Sequence, residues 1–131
     1  MESNAARLIR TYYKRLWNEW AFDLIDELLS PTITIRGSLG MDVRGRAGFR
    51  AYMEAVRYAF PDFHNDVDDL LVDGDRVVAR LTYSGTHRGE LFGVAATGQR
   101  VRYAGVAMFR TRGDVIADGW VLADAVSLRR Q

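Results

Sequence analysis

Apolar residues recur at helical spacing through the first sixty positions and at every second position through much of the remainder, so the chain reads as helices followed by strands. Leu8, Ile9, Tyr12, Tyr13, Leu16, Trp17 and Trp20 give one broad aromatic face to a helix over about 2–19. A shorter helix follows through Phe22, Ile25, Leu28 and Leu29. It stops near Ser30, because Pro31 disfavours helical geometry in the residue before it. Ile33 and Ile35 alternate with Thr32, Thr34 and Arg36 in a short strand, and Gly37-Ser38-Leu39-Gly40 turns the chain. Phe49, Tyr52, Met53, Val56 and Phe60 mark a third helix that ends before Pro61.

From His64 onward the pattern is strand and turn. Asp73-Gly74 supplies the positive backbone dihedrals of a tight hairpin between Val67–Val72 and Arg76–Gly85. A longer connection through His87, Arg88, Gly89, Glu90 and Gly98 leads to a strand from about Arg100 to Arg110, and Arg112-Gly113-Asp114 turns it into the last strand. Helices followed by an antiparallel meander define an α+β domain with the helices on one side of the sheet. Val101, Tyr103, Ala107 and Phe109 fall on one strand face, and Ala104, Val106 and Met108 on the other. One face packs the helices. The other is then expected to pack a second subunit, since antiparallel sheets usually keep one side polar, and Val106, Met108, Val121 and Ala123 would otherwise be wet.

Composition excludes more than it assigns. A length of 131 residues, with two prolines and no repeat, suits one domain over 1–131. Absence of cysteine excludes disulfides, thiol catalysis and thiolate metal sites, and fits a reducing cytoplasm. No basic-then-apolar leader and no long apolar run are read, so a cytoplasmic protein that neither enters nor crosses a membrane is expected. The 18 Lys and Arg against 17 Asp and Glu leave a charge of +1. With its basic residues scattered, the chain is not expected to bind nucleic acid. His64 and His87 lack the spacing to further ligands that a metal site needs.

The candidate chemistry sits in the last strand, Ile116-Ala117-Asp118-Gly119-Trp120-Val121-Leu122-Ala123-Asp124. Strict alternation puts Ile116, Asp118, Trp120, Leu122 and Asp124 on one face. If that face is buried, Asp124 sits at the edge of an apolar enclosure, where desolvation raises a carboxylate's pKa and suits it to proton transfer. A solvated Asp124 at a fraying strand end is the other reading. Asp118 is expected to face solvent or an arginine, and Asp62 to cap a turn after Pro61. Tyr12, Trp17, Met53 and Phe60 belong to the core, and the wall of a pocket in such a domain has the same composition.

Ala59-Phe60-Pro61-Asp62-Phe63-His64, Gly74-Asp75-Arg76-Val77-Val78-Ala79-Arg80, Gly85-Thr86-His87-Arg88-Gly89-Glu90, Thr97-Gly98-Gln99-Arg100-Val101 and Trp120-Val121-Leu122-Ala123-Asp124 occur in order along the chain. Together with Leu16-Trp17-Asn18-Glu19 they resemble the successive blocks of SnoaL-like polyketide cyclases. The resemblance implies the cone-shaped nuclear-transport-factor-2-like fold, an α+β barrel with helices on a curved antiparallel sheet around an apolar pocket, commonly dimeric through the outer sheet face. It also implies cofactor-free aldol ring closure on a small hydrophobic carbonyl substrate of polyketide metabolism, with one pocket Asp as acid and base. The matching residue is Asp124.

Several further expectations attach to that resemblance. The substrate would lie against Tyr12, Trp17, Met53, Phe60 and Trp120, with His64, His87 or Arg36 donating to the enolate oxygen. His64 and His87 have structural readings as well, His87 pairing with Glu90 or a backbone carbonyl. Arg36 has the alternative of a surface ion pair. Ile35-Arg36 stands where many relatives carry Asp-His, Gly119 stands where a larger residue is common, and Ala95-Ala96 replaces Pro-Pro. Epoxide hydrolysis, known in this fold from an Asp-Arg-Asp arrangement, is disfavoured because Thr82 follows Arg80 where an acid is needed. A binding protein that uses the pocket without chemistry is the remaining alternative.

Overall fold

The computed structural model describes residues 2–37, 42–91 and 93–124. Most of the turn read at 37–40 and the Arg129-Arg130 tail therefore lie outside the described residues. Ser3 opens helix α1 (Asn4–Thr11), its hydroxyl accepting from the Ala6 N–H at 3.1 Å. The helix then widens into a π-helical turn, Tyr12–Trp17, where the Asn18 N–H donates to the Tyr13 carbonyl at 2.9 Å. This wider turn buries Tyr12, Tyr13, Leu16 and Trp17 together. Trp20, at φ 54, reverses the chain and is pinned by an Nε1–H bond to the Pro61 carbonyl. A 3-10 turn (Phe22–Leu24) leads to α2 (Ile25–Leu28), and strand β1 (Leu29–Arg36) begins at once.

The short strand β2 (Asp42–Arg44) precedes α3 (Gly45–Ala59), and β3 (His64–Asp73), β4 (Arg76–Thr86), β5 (Arg100–Arg112) and β6 (Val115–Ala123) complete the chain. Three helices thus pack on one six-stranded sheet of order β2-β1-β6-β5-β4-β3. The α+β fold with its helices packed on one sheet is as expected, and the expected antiparallel barrel is corrected in two respects. The sheet is open, with β2 and β3 at its edges, and it is mixed, because β1 and β6 pair in parallel. Those two strands are joined through α3 and the whole β3–β5 meander, a crossover long enough to bring them side by side in one direction. Two-residue loops close the β3–β4 and β5–β6 hairpins, with Gly74 and Gly113 each at φ 60.

One irregularity decides which way β6 faces. Arg110 pairs with Asp118 but Thr111 pairs with Ile116, so Ala117 is an extra residue in the ladder. Such a bulge shifts the alternation by one. Ile116 is wholly buried, yet beyond the bulge Ala123 is buried and Val121 faces the interior, while Trp120 and Leu122 are 39% and 58% exposed. Trp120 therefore does not share an inner face with Ile116, and Val121 and Ala123 do not join Val106 and Met108 outside. The outer patch consists instead of two cross-strand pairs, Val106 with Leu122 and Met108 with Trp120. Inside, Ile9, Leu16, Phe49, Met53 and Phe109 are fully buried between the helices and the sheet. Among the described residues no helix is long and apolar enough to cross a membrane.

Candidate functional site

The π-helical turn, α3 and the inner faces of β4, β5 and β6 enclose a cavity. Tyr12, Tyr13 and Trp17 project into it from the first helix, and Tyr52 and Phe60 come from α3 and its end. The sheet contributes Ile35, Tyr83, Tyr103 and Val121. Its centre offers about 60 Å³ to the middle of a water-sized sphere, within about 650 Å³ of empty space that runs out through the mouth. The smaller figure describes the enclosed part, enough for a few waters. A larger ligand must extend along the mouth or part the walls.

Five of the chain's six tyrosines line this one space. Their rings lock edge to face or stack, as expected from aromatic quadrupoles: Tyr12 and Tyr13 are 4.9 Å apart at 80°, and Tyr83 lies parallel to Phe63 at 5.9 Å. Burial raises the pKa of Tyr12, Tyr13, Tyr52, Tyr83 and Tyr103 alike. In Tyr12 a hydrogen bond from Trp17 opposes that rise without cancelling it. All five are accordingly neutral donors at physiological pH, unsuited to act as bases there.

Asn65, only 4% exposed, adds the one side-chain amide among the described residues of the wall. Asn18 holds it from the end of the π-helical turn. The Asn18 Nδ2–H donates to the Asn65 carbonyl at 3.0 Å, and Asn18 Oδ1 accepts from Asn65 N–H at 2.8 Å and from Asn65 Nδ2–H at 3.2 Å. One hydrogen of the Asn65 NH2 group is engaged there, which leaves its second N–H and Oδ1 for other partners.

The sequence-derived candidates divide between wall and surface. Tyr12, Trp17 and Phe60 line the cavity, whereas Met53 is fully buried in the core behind it. Arg36 is exposed, since alternation along β1 turns it away from the cavity-lining Ile35. His64 is also exposed, its Nε2 lying 3.1 Å from Asp66 Oδ1. Trp120 lies on the outer face for the reason given above. Asp124 is exposed and does not line the cavity, so the expected enclosure beside Trp120 is corrected. Asp124 stands just past β6, three residues beyond the lining Val121, and its N–H donates to the carbonyl of Ala104, the neighbour of the lining Tyr103, at 2.8 Å.

His87 is buried rather than bound to Glu90. Its ring stacks on Phe60 at 5.2 Å, and its Nδ1 shares a 3.3 Å hydrogen bond with Thr97 Oγ1. Its Nε2 is the fully enclosed polar side-chain atom without a partner among the described residues. Asp118 forms the expected arginine pair, with Arg110, at 2.5 Å. Asp62 reaches further than a local turn, accepting from both the N–H and the hydroxyl of Thr86 at 2.7 Å. Burial works against its charged form, but those bonds and Arg100 hold its pKa below the usual carboxylate value. Thr82 donates to Asp68 at 2.6 Å, and Arg80 lies 4.0 Å from the same carboxylate on the sheet's exposed side. No grouping of three or more His, Asp or Glu suited to a metal occurs among the described residues.

Tyr13 and Tyr52 stand on the aromatic faces read for the first and third helices without being named as site residues, and sequence reasoning missed Tyr83, Tyr103 and Asn65 as such. A signal existed for the two tyrosines of the sheet: Tyr83 and Tyr103 alternate in phase with Leu81 and Val101, both buried.

A search of curated proteins returns no match to the chain. Among solved structures, a candidate hydroxylase, AclR from Streptomyces galilaeus, is 31% identical over 95% of this chain and 77% of its own, with a TM-score of 0.80. IdmH from Streptomyces antibioticus, a candidate polyketide cyclase, is 26% identical over 98% and 97% of the two chains, with a TM-score of 0.84. A candidate SnoaL-like polyketide cyclase from Jannaschia sp. CCS1 has a TM-score of 0.89 at 20% identity over 98% and 90%, a likeness of fold. The family model of the SnoaL-like polyketide cyclases matches residues 7–131, and the chain belongs to that family.

Proposed function

We propose that the chain is an enzyme of the cyclase or isomerase type, using side-chain acid-base catalysis on a small hydrophobic carbonyl compound. The supporting observation is an aromatic cavity furnished with neutral tyrosine donors, beside the end of β6 where Asp124 stands. A substrate filling the cavity and its mouth would lie against the end of β6, within reach of the Asp124 carboxylate. The carboxylate then takes a proton from the carbon between two carbonyl groups. Electron density moves to the carbonyl oxygen, where phenolic O–H donors hold it. The enolate carbon attacks a second carbonyl of the same molecule, and the new alkoxide takes the proton back from the carboxylic acid, so the ring closes with no net change in protons.

The test is hydrogen exchange at C-2 of ethyl 2-benzylacetoacetate in D2O, followed by NMR. The wild-type chain is expected to accelerate it, and Asp124→Asn to lose about 100- to 10,000-fold of that acceleration. A second reading, ligand binding without chemistry, is favoured by one observation: among the described residues lining the cavity none is a carboxylate, histidine or lysine. Unchanged exchange in Asp124→Asn, or no acceleration by wild type, replaces the first reading with the second.

We also infer that a second copy of the chain covers the outer patch of Val106, Met108, Trp120 and Leu122. The patch is flanked by groups of both signs, Arg110 with Asp118 and Arg80 with Asp68, so a second copy related by a two-fold axis meets no excess of like charge.

A further inference from the structure

Trp17 of the cavity wall meets Trp20 edge to face, 6.1 Å between ring centroids, and Trp20 belongs to a second aromatic cluster, on the surface. There Trp20 and Phe22 stack at 27°, and two arginines of α3 lie over their rings. Arg50 Cζ is 4.9 Å from the Phe22 centroid, and Arg57 Cζ is 5.7 Å from Phe22 and 5.5 Å from Trp20. Phe22, Arg50, Glu54, Arg57, Tyr58 and Pro61 line one open groove.

The backbone is fitted to this groove at two points. Trp20 stands at φ 54, a left-handed conformation that glycine takes freely and a bulky residue takes only at a cost. What a tryptophan adds over a glycine there is its ring, which bonds the Pro61 carbonyl through Nε1–H and carries Arg57. Tyr58, 68% exposed, packs on bare backbone at Gly89, where a Cβ would lie 2.9 Å from two of its ring carbons. An exposed aromatic surface is thus held in place from below.

Its charges are unequal. Arg50 Nε donates to Glu54 Oε1 at 3.1 Å, but Arg57 has no carboxylate within 4.0 Å and no hydrogen-bond acceptor among the described residues. The rings position the Arg57 guanidinium without satisfying its N–H donors, which form a planar fork matched to an oxyanion. Two arginines against one glutamate leave the groove with a net positive charge. Of the neighbouring acids, Asp23 does not line it, and Asp62 is bound to Thr86 and Arg100.

We propose that this groove is a binding site for a small aromatic phosphate monoester. The phosphate accepts from the free N–H fork of Arg57, with Arg50 adding charge, and the ligand ring lies against Phe22, Tyr58 and Pro61. Charge-assisted, two-point contact with one guanidinium supplies the anchor, and the apolar wall separates an organic phosphate from the inorganic ion. The site is distinct from the cavity and requires no turnover, so it stands or falls independently of the function proposed above.

The experiment is calorimetric titration of the full chain with phenyl phosphate at low ionic strength. Wild type is expected to bind it at least three-fold more tightly than inorganic phosphate. Arg57→Gln, a surface change, is expected to lose about ten-fold or more, since hydrogen bonds to charged groups are the strong ones. Arg112→Gln removes the same charge from a distant hairpin and is expected to stay within about two-fold. Trp20→Gly keeps a backbone suited to φ 54 and removes the ring under Arg57, for an expected loss of about two- to five-fold with the circular dichroism unchanged. Absence of binding by wild type, inorganic phosphate bound as tightly, equal losses in Arg57→Gln and Arg112→Gln, or a folded Trp20→Gly chain of undiminished affinity would each overturn the proposal.

Discussion

Gly119 lies directly across the β5–β6 ladder from Phe109, and the Phe109 ring fills the space that a side chain at 119 would need. A Cβ on Gly119 would come within 2.9 Å and 3.1 Å of two ring carbons. Phe109 in turn packs edge-on against Tyr12 and Tyr13, at 5.3 Å and 6.0 Å, so the absent side chain sets the floor on which the cavity's first tyrosines rest. The glycine thus lets an aromatic ring in rather than widening the pocket itself.

Gly119→Ala is therefore expected to destabilise the fold by about 1–3 kcal/mol through overpacking, read from the urea midpoint. Adding Phe109→Leu is expected to recover part of that loss. A fully additive double variant would show that the two positions do not press on one another.

The alkaline limb of stability reports on the tyrosines. Burial holds all five cavity phenols above the ordinary value of 10.0. A folded-state pKa above the unfolded one contributes stability that is fully present below the unfolded value and is lost as pH rises toward the folded one. Between those values the unfolded chain releases protons that the folded chain retains. Stability is expected to fall from about pH 10 upward. The phenolate absorbance of these five should then rise in one cooperative step, together with the loss of circular dichroism. A gradual rise just above pH 10.0 with the fold intact would contradict the burial described.

The outer patch bears on assembly. Light scattering at micromolar concentration is expected to return a dimer, and Met108→Asp, a charge opposite the exposed Trp120, is expected to return a monomer. A wild-type monomer would remove the second copy from the account.

The sequence was most readable where one pattern governed one element. Helices before strands, the Gly74 and Gly113 hairpins and the two faces of β5 all follow from periodicity and turn chemistry. The direction of β6 did not, because one extra residue, Ala117, reverses every later side chain without leaving a mark in the apolar pattern. This bulge moved Trp120 outside and Val121 inside. The π-helical turn had left a trace: Leu8, Tyr12, Leu16 and Trp20 repeat at strict intervals of four, drifting about 40° per step off an ordinary helical stripe. The turn carries Tyr12, Tyr13, Leu16 and Trp17, all buried. The cavity wall was legible only as core, since Tyr52 or Tyr83 differs from a packing residue solely in where its hydroxyl opens.

The central claim is that a carbonyl ligand occupies the tyrosine cavity and reaches Asp124 at its mouth. A crystal structure of the Asp124→Asn variant with ethyl 2-benzylacetoacetate tests it most directly. The expected result places the ester between Tyr13, Tyr83 and Phe63, a carbonyl oxygen within hydrogen-bonding distance of a tyrosine hydroxyl, and C-2 about 3–3.5 Å from the side chain at 124. A ligand seated elsewhere, for example in the outer groove beside Arg76 and Trp120, or held in the cavity with C-2 turned away from position 124, would contradict it.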